Sequence, residues 1–229
     1  MPNIKMADQP SGVDYLALLL DNALESYEVT SSKLKSGTFQ YASNLKNVTL
    51  PPVLTSVGAS VFFGTGIETI HFFQVGSFGS GNSYDFRESS LKTAVIEKMT
   101  GQFGAYIFAN CAYLEVIDIG DVGSVGGNNN GNNFMNTSPN CKKLILRNTT
   151  RVGLSDIRFF QGSAFASGGA GGTIYIPKSL YDHLGDGTSN DYKALTNWAT
   201  VDGYGTITWA KIEGTAYDGY WADGTPITA

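Results

Sequence analysis

Phe103 to Ile119 reads F-G-A-Y-I-F-A-N-C-A-Y-L-E-V-I-D-I, and its spacing decides the fold. An apolar-Gly step at Phe103-Gly104 is followed by Phe108, then Leu114, then the alternating pair Ile117 and Ile119. Alternation puts both isoleucines on one face of a strand. The same pattern recurs along most of the chain. Its final pairs are Val48/Leu50, Ile70/Phe72, Ala94/Ile96, Ile117/Ile119, Leu144/Leu146 and Ile174/Ile176, separated by 22, 24, 23, 27 and 30 residues. One short strand per period of this length is the signature of a solenoid.

Each coil carries two further apolar marks. A leading residue precedes the pair: Leu45, Ile67, Leu91, Leu114 and, in the fifth coil, Cys141. Upstream of it stands a phenylalanine: Phe39, Phe62, Phe86, Phe108 and Phe134. The apolar-Gly step appears as Val57-Gly58, Val75-Gly76, Phe103-Gly104 and Val122-Gly123, with Leu34-Lys35 in its place in the first coil. Glycine there implies a positive φ or a close backbone approach. One coil cannot bury its phenylalanine and strand face alone. Stacked coils, rising about 4.8 Å each, can form a continuous core of Phe over Phe and Leu over Leu.

The pattern F-x-N-C-x-x-L-x-x-I-x-I resembles the leucine-rich repeats of the BspA type, found on bacterial surfaces and in phage-encoded proteins. The stretch Cys141 to Trp198, with C-K-K-L-I-L-R-N-T-T-R-V, G-G-T-I-Y-I-P-K-S-L and D-Y-K-A-L-T-N-W, is similar to the closing segment of such proteins in phages and prophages of gut bacteria. The resemblance covers about residues 30 to 213. It implies a mainly β leucine-rich-repeat solenoid of five to six coils of about 22–30 residues. Function is not implied by a scaffold alone. Three insertions depart from the pattern: around Gly79 to Tyr84, at Asn128 to Asn133, and at His183 to Asn190. All are Gly/Asn/Ser/Asp-rich loop chemistry.

The rest of the chain is read as caps. Residues 1–11 form an extended arm. Residues 12–29 hold a capping helix over about 12–23 and a lead-in, because Val13, Leu16, Ala17, Leu20 and Leu24 fall at helical spacing. Residues 30–176 are the solenoid. Residues 177–213 are a C-terminal cap with helical pieces at Ser179–Leu184 and Asp191–Trp198 and a strand at 206–212. Residues 214–229 are an aromatic tail.

Charged residues make up 15% of the 229 residues, and glycine accounts for 28 of them. Low charge and abundant glycine fit a turn-rich β protein of an extracellular or virion setting. A formal charge of −5 disfavours nucleic acid, which calls for a basic patch. The densest basic cluster, Lys142, Lys143, Arg147 and Arg151, reads as a solvated coil rim. Two cysteines, Cys111 and Cys141, read as buried thiols acting as small hydrophobes. No secretory leader pattern and no membrane span is recognised.

Chemistry is sparse. His71 and His183 are far apart in sequence, and no G-x-S-x-G, H-E-x-x-H or C-x-x-C occurs. Asp182, Asp186, Asn190 and Asp191 offer oxygens but not at calcium-loop spacing. The expectation is no catalytic residue, no cofactor and no metal. The function expected is a non-enzymatic phage virion-associated binding protein: a fibre, decoration or receptor-binding component. Its partners would be other virion proteins through the N-terminal arm and a host-surface glycan or protein, with homo-oligomerisation left open. The alternatives are a bacterial surface adhesin or protein-interaction module and, third, a polysaccharide-acting enzyme with paired carboxylates. Candidate ligand-binding residues are Tyr84, Asn129, Asn130, Phe134, Tyr217, Tyr220 and Trp221.

Overall fold

The structure, a computed structural model, describes residues 5–6, 24–79, 83–101, 103–121, 123–125, 134–147, 149–152, 163–165, 170–177 and 207–212. Its strands in chain order are β1 (Lys5–Met6), β2 (Ser26–Val29), β3 (Lys33–Leu34), β4 (Asn47–Thr49), β5 (Ser56–Val57), β6 (Thr69–Phe72), β7 (Thr93–Lys98), β8 (Val116–Asp121), β9 (Gly123–Val125), β10 (Lys143–Leu146), β11 (Thr149–Val152), β12 (Gly172–Pro177) and β13 (Ile207–Ile212). No helix occurs among the described residues. The helices expected at 12–23, 179–184 and 191–198 lie outside them, as does the tail at 214–229.

Every strand pair is parallel, which makes this a β-solenoid. A three-stranded sheet runs β1-β2-β4 and a six-stranded sheet runs β13-β12-β10-β8-β7-β6. The alternating pairs of the sequence stack in register: Ile70, Ala94, Ile117, Leu144 and Ile174 form one row, and Phe72, Ile96 and Ile119 with Leu146 the next. The strand expected at 206–212 is β13, which extends this sheet alongside β12. Two rungs precede those read from sequence. Tyr27 pairs with Val48 on β4, and Lys5 and Met6 of the expected arm pair with Glu28 and Val29.

Inside, the phenylalanines form the expected ladder. Phe39, Phe62, Phe86 and Phe108 stack at centroid distances of 5.5, 5.1 and 5.1 Å, and Phe134 closes on Phe108 edge-on at 5.0 Å. A second line, Phe72, Phe78, Phe103 and Phe134, runs beside it. The leading residues Leu45, Ile67, Leu91, Leu114 and Cys141 are all fully buried. Cys111 is buried too, and both cysteines are free thiols. Burial pushes the Cys111 thiol well above its ordinary value and that of Cys141 up to about 12. They behave as the small hydrophobes expected.

The apolar-Gly step needs a correction in the third coil. Val57 pairs with Leu34 and bridges to Phe78, whereas Val75 lies between Leu54 and Met99. The step aligned with Val57-Gly58 and Phe103-Gly104 is therefore Phe78-Gly79, not Val75-Gly76. That alignment shortens the insertion before Phe86 to residues 80–82. Close approach, not positive φ, explains these glycines. A Cβ would fall 2.4 Å from the Ser36 nitrogen at Gly58 and 2.5 Å from the Gly79 oxygen at Gly104.

Candidate functional site

The turn around each buried phenylalanine forms a second hydrogen-bonded ladder. Phe39, Phe62, Phe86 and Phe108 each donate their N–H to the next coil, at 2.9 to 3.1 Å. Residues two before and two after the phenylalanine take left-handed backbone. Before it stand Gly37, Ser60, Tyr84 and Tyr106; after it stand Tyr41, Gly64, Glu88 and Asn110, with φ from 48° to 69°. The geometry aims further N–H groups along the solenoid axis: Tyr41 donates to Phe63 at 2.7 Å, Gly64 to Arg87 at 2.9 Å, and Asn110 to Asn136 at 2.7 Å.

Left-handed backbone costs a non-glycine residue roughly 1–2 kcal/mol. Gly37 and Gly64 show that glycine is accepted at both positions of this corner. Three of the remaining six places nevertheless hold tyrosine. Those tyrosines do not enter the core. Tyr41 is 56% exposed and meets Phe63 edge-on at 5.0 Å. Tyr84 and Tyr106 stack on each other at 4.8 Å, both half-buried. The Arg87 guanidinium lies between the two pairs, 5.6 Å from the Phe63 ring centre and 5.5 Å from that of Tyr84. Its Nε also donates to Glu88 Oε1 at 3.2 Å. Tyr41, Phe63, Arg87, Tyr84 and Tyr106 thus make a continuous aromatic stripe across four coils, broken by one cation. Both guanidinium-to-ring distances are within cation–π range.

Among the residues singled out from sequence, Tyr84 belongs to this stripe. Phe134 does not: it is 0% exposed, packed edge-on against both Phe103 and Phe108, so no ligand can stack on it. Asn129, Asn130, Tyr217, Tyr220 and Trp221 lie outside the described residues, as do Asp182, Asp186, Asn190 and Asp191. The remaining members, Tyr41, Phe63, Arg87 and Tyr106, were missed. The available signal was an aromatic or arginine at one to two residues from the repeat phenylalanine, on the side opposite to burial.

The outer face of the six-stranded sheet carries a second polar cluster. His71, Val95, Asp118 and Ile145 share one register row. Glu97 lies two residues further along β7, and Arg147 one residue past the end of β10. His71 Nε2 is 2.9 Å from Glu97 Oε1. Arg147 Nε donates to Asp118 Oδ1 at 2.7 Å. Arg147 Nη2 sits 2.7 Å from Glu97 Oε2, an ion pair by distance without hydrogen-bond alignment. Arg147 is buried and Asp118 wholly so, which corrects the reading of Arg147 as a solvated rim residue. Burial pushes Asp118 up to about 7, against the Arg147 charge. Burial also pushes Glu97 upward, but the His71 hydrogen bond and Arg147 outweigh it and hold Glu97 below its ordinary value. This cluster joins four coils. With Asp118 out of reach of solvent, the pair Glu97 and Asp118 cannot flank a polysaccharide. No group of metal-ligating side chains occurs among the described residues, and no described helix could cross a membrane.

Stacked short coils with a hydrophobic ladder at each turn make a parallel β-solenoid, an architecture that fits leucine-rich-repeat scaffolds. Residues 21–133 match, in six copies, the family model described as BspA type Leucine rich repeat region, which supports placing the repeat region in that family. No curated protein and no solved structure matches the chain. A scaffold of this class is typically a non-enzymatic binding platform, of the protein-interaction or adhesin type.

Proposed function

We propose that the chain is a non-enzymatic interaction module that holds a surface ligand, glycan or protein, on the stripe Tyr41, Phe63, Arg87, Tyr84 and Tyr106. The observation that carries this reading is the set of strained tyrosines. Three rings stand where the backbone favours glycine, and none of them is part of the buried core: Tyr41 is exposed, and Tyr84 and Tyr106 are half-buried. A ring kept outside the core at a corner where glycine would carry less strain supports a role in binding. Tyrosine presents a rigid amphipathic face suited to sugar rings and to apolar side chains. Arg87 adds a donor for a carboxylate or sulfate.

The setting we propose is a phage virion, with a bacterial surface adhesin as the alternative. The support is the likeness of Cys141 to Trp198 to phage-encoded closing segments, together with the acidic, glycine-rich composition. The arm would reach other virion proteins and the stripe a host surface. Mass spectrometry of purified particles tests the setting: the chain at many copies per particle supports it, and its presence on cells alone overturns it.

The stripe itself is tested with the full chain on a panel of immobilised bacterial glycans and on cell-surface protein extracts. Tyr84→Gly and Tyr106→Gly suit the backbone, as Gly37 shows, so folding survives. Each is expected to weaken capture about tenfold or more, the loss of a buried aromatic contact. Capture unchanged in both variants and in Arg87→Ala would place binding elsewhere.

A further inference from the structure

One column of side chains on the solenoid alternates in sign over six consecutive coils. Glu25, Lys46, Glu68, Lys92, Glu115 and Lys142 occupy equivalent places just ahead of their strands, and all six are exposed. Backbone bonds link most of the column: Lys46 N–H to Glu25 oxygen at 2.9 Å, Lys92 to Glu68 at 2.8 Å, Glu115 to Lys92 at 2.8 Å and Lys142 to Glu115 at 3.2 Å. Side chains follow. Lys92 Nζ lies 2.9 Å from Glu68 Oε2. The hydrogen bond and charge of Lys92, with the charge of Lys46, hold Glu68 below its ordinary value, and Glu68, aided by Glu115, holds Lys92 above its own.

An alternating column with an even number of members has opposite charges at its ends. Laid antiparallel on a copy of itself, it matches at every place: Glu25 faces Lys142, Lys46 faces Glu115, and Glu68 faces Lys92. Laid parallel, it sets like on like. A ligand for the whole column must repeat its charges at the coil rise of about 4.8 Å, or it drifts out of register within a few coils. A second copy has that spacing by construction. The two-fold axis would pass between Glu68 and Lys92, where the best-formed ion pair of the column already lies. The exposed ring of Tyr113, two residues before Glu115, flanks the column and would meet the partner near Asn44. A two-fold contact uses the same patch on both copies, as this column requires.

We propose that this column is a self-association surface, pairing two copies of the chain antiparallel through alternating charges. Exposed ion pairs are individually weak, so the dimer is weak and salt-dependent.

The test is charge exchange, read by sedimentation velocity of the full chain at about 0.02 M ionic strength, where screening is slight. Lys46→Glu sets two carboxylates against each other, because position 46 faces Glu115 of the partner subunit. Glu115→Lys sets two ammonium groups against each other, because position 115 faces Lys46 of the partner subunit. Each variant alone is expected to lose association about tenfold or more, worth about 1.4 kcal/mol per tenfold. Mixed in equal amounts the two variants pair with each other. The carboxylate introduced at position 46 of one then faces the ammonium introduced at position 115 of the other, and the unchanged Glu115 of the first faces the unchanged Lys46 of the second. Positions 46 and 115 are three coils apart, and neither variant gains a favourable neighbour within its own chain. Recovery in the mixture can therefore come only from pairing between copies. The wild-type dimer is expected to dissociate at about 1 M salt, where the screening length is about 3 Å. A monomer at every concentration, a dimer indifferent to both substitutions, or a mixture no tighter than its components would each overturn the proposal.

Discussion

Asp85→Asn should stabilise the protein at neutral pH and do nothing in acid. Asp85 precedes Phe86 in a place held by Val61 and Ile107 in the neighbouring coils, and it is wholly buried. Its Oδ1 accepts the Val61 N–H at 3.4 Å, and its Oδ2 has no hydrogen-bond donor among the described residues. Burial outweighs the bonds from the Val61 and Ser60 backbone and pushes the carboxyl up to about 8. In the unfolded chain an aspartate titrates near 3.9. The native state therefore binds the proton more tightly than the unfolded state. The associated stability is complete below about pH 3.9 and is lost as pH rises, until the loss levels off above about 8. At 1.36 kcal/mol per unit, the loss at pH 7 is roughly 4 kcal/mol. Asparagine keeps the acceptor for Val61 and carries no proton to lose. Urea unfolding followed by far-ultraviolet circular dichroism, on both proteins from pH 4 to 9, isolates this group, because every other titration cancels in the difference. The two proteins should coincide near pH 4 and diverge above about pH 5 by about 1.4 kcal/mol per unit, with the variant the more stable. A difference independent of pH, or a wild type more stable at pH 8, would refute the reasoning and mean that Asp85 ionises against a partner inside the fold.

Three further outcomes follow from the packing. Phe86→Ala should cost about 3–5 kcal/mol for the cavity, and about 0.5–1.5 kcal/mol more for each stack lost with Phe62 and Phe108, read as a drop in the urea midpoint. Arg147→Met should cost about 3–5 kcal/mol because it leaves Asp118 buried without its cation, and adding Asp118→Asn should recover much of that loss. Neither Cys111 nor Cys141 should react with a thiol-titrating disulfide reagent in the native protein, and both should react in denaturant.

The strand rows were legible in the sequence because alternation fixes the face of a strand, and a one-residue slip would expose the whole row. Ile70, Ala94, Ile117, Leu144 and Ile174 stack as read. The third coil misled because an apolar residue before glycine occurs at two different places: Val75-Gly76 belongs with Leu54 and Met99, and Phe78-Gly79 is the true partner of Val57-Gly58. A Cβ would stand 2.2 Å from the Thr55 oxygen at Gly76 and a tight 3.0 Å from the Ala59 nitrogen at Gly79, so close backbone neighbours go with both glycines and composition alone cannot tell them apart. Phe134 was read as a stacking group because a glycine- and asparagine-rich run precedes it, although its place in the repeat already marked it as core. The network of His71, Glu97, Asp118 and Arg147 was hidden for another reason. Its members are 21 to 29 residues apart in sequence, and they meet only once the strands are in register.

The corner shows how the same feature can serve folding and function. At Gly37, Tyr41, Ser60, Gly64, Glu88 and Asn110 the left-handed residue gives its N–H to the next coil, so the backbone conformation there is set by hydrogen bonding between coils. Glycine satisfies that demand with least strain, and Gly37 and Gly64 do so. Serine, glutamate and asparagine at the other corners show that the conformation is tolerated when the ladder holds it. Strain of roughly 1–2 kcal/mol is within what one added hydrogen bond of about 1 kcal/mol and one ring contact of about 0.5–1.5 kcal/mol can offset. Tyr84 and Tyr106 have that ring contact in each other, and Tyr41 has it in Phe63. The tyrosines therefore stabilise one another in pairs. Replacing one should loosen its neighbour, and a double-mutant cycle on Tyr84 and Tyr106 separates that coupling from what each ring gives to a ligand.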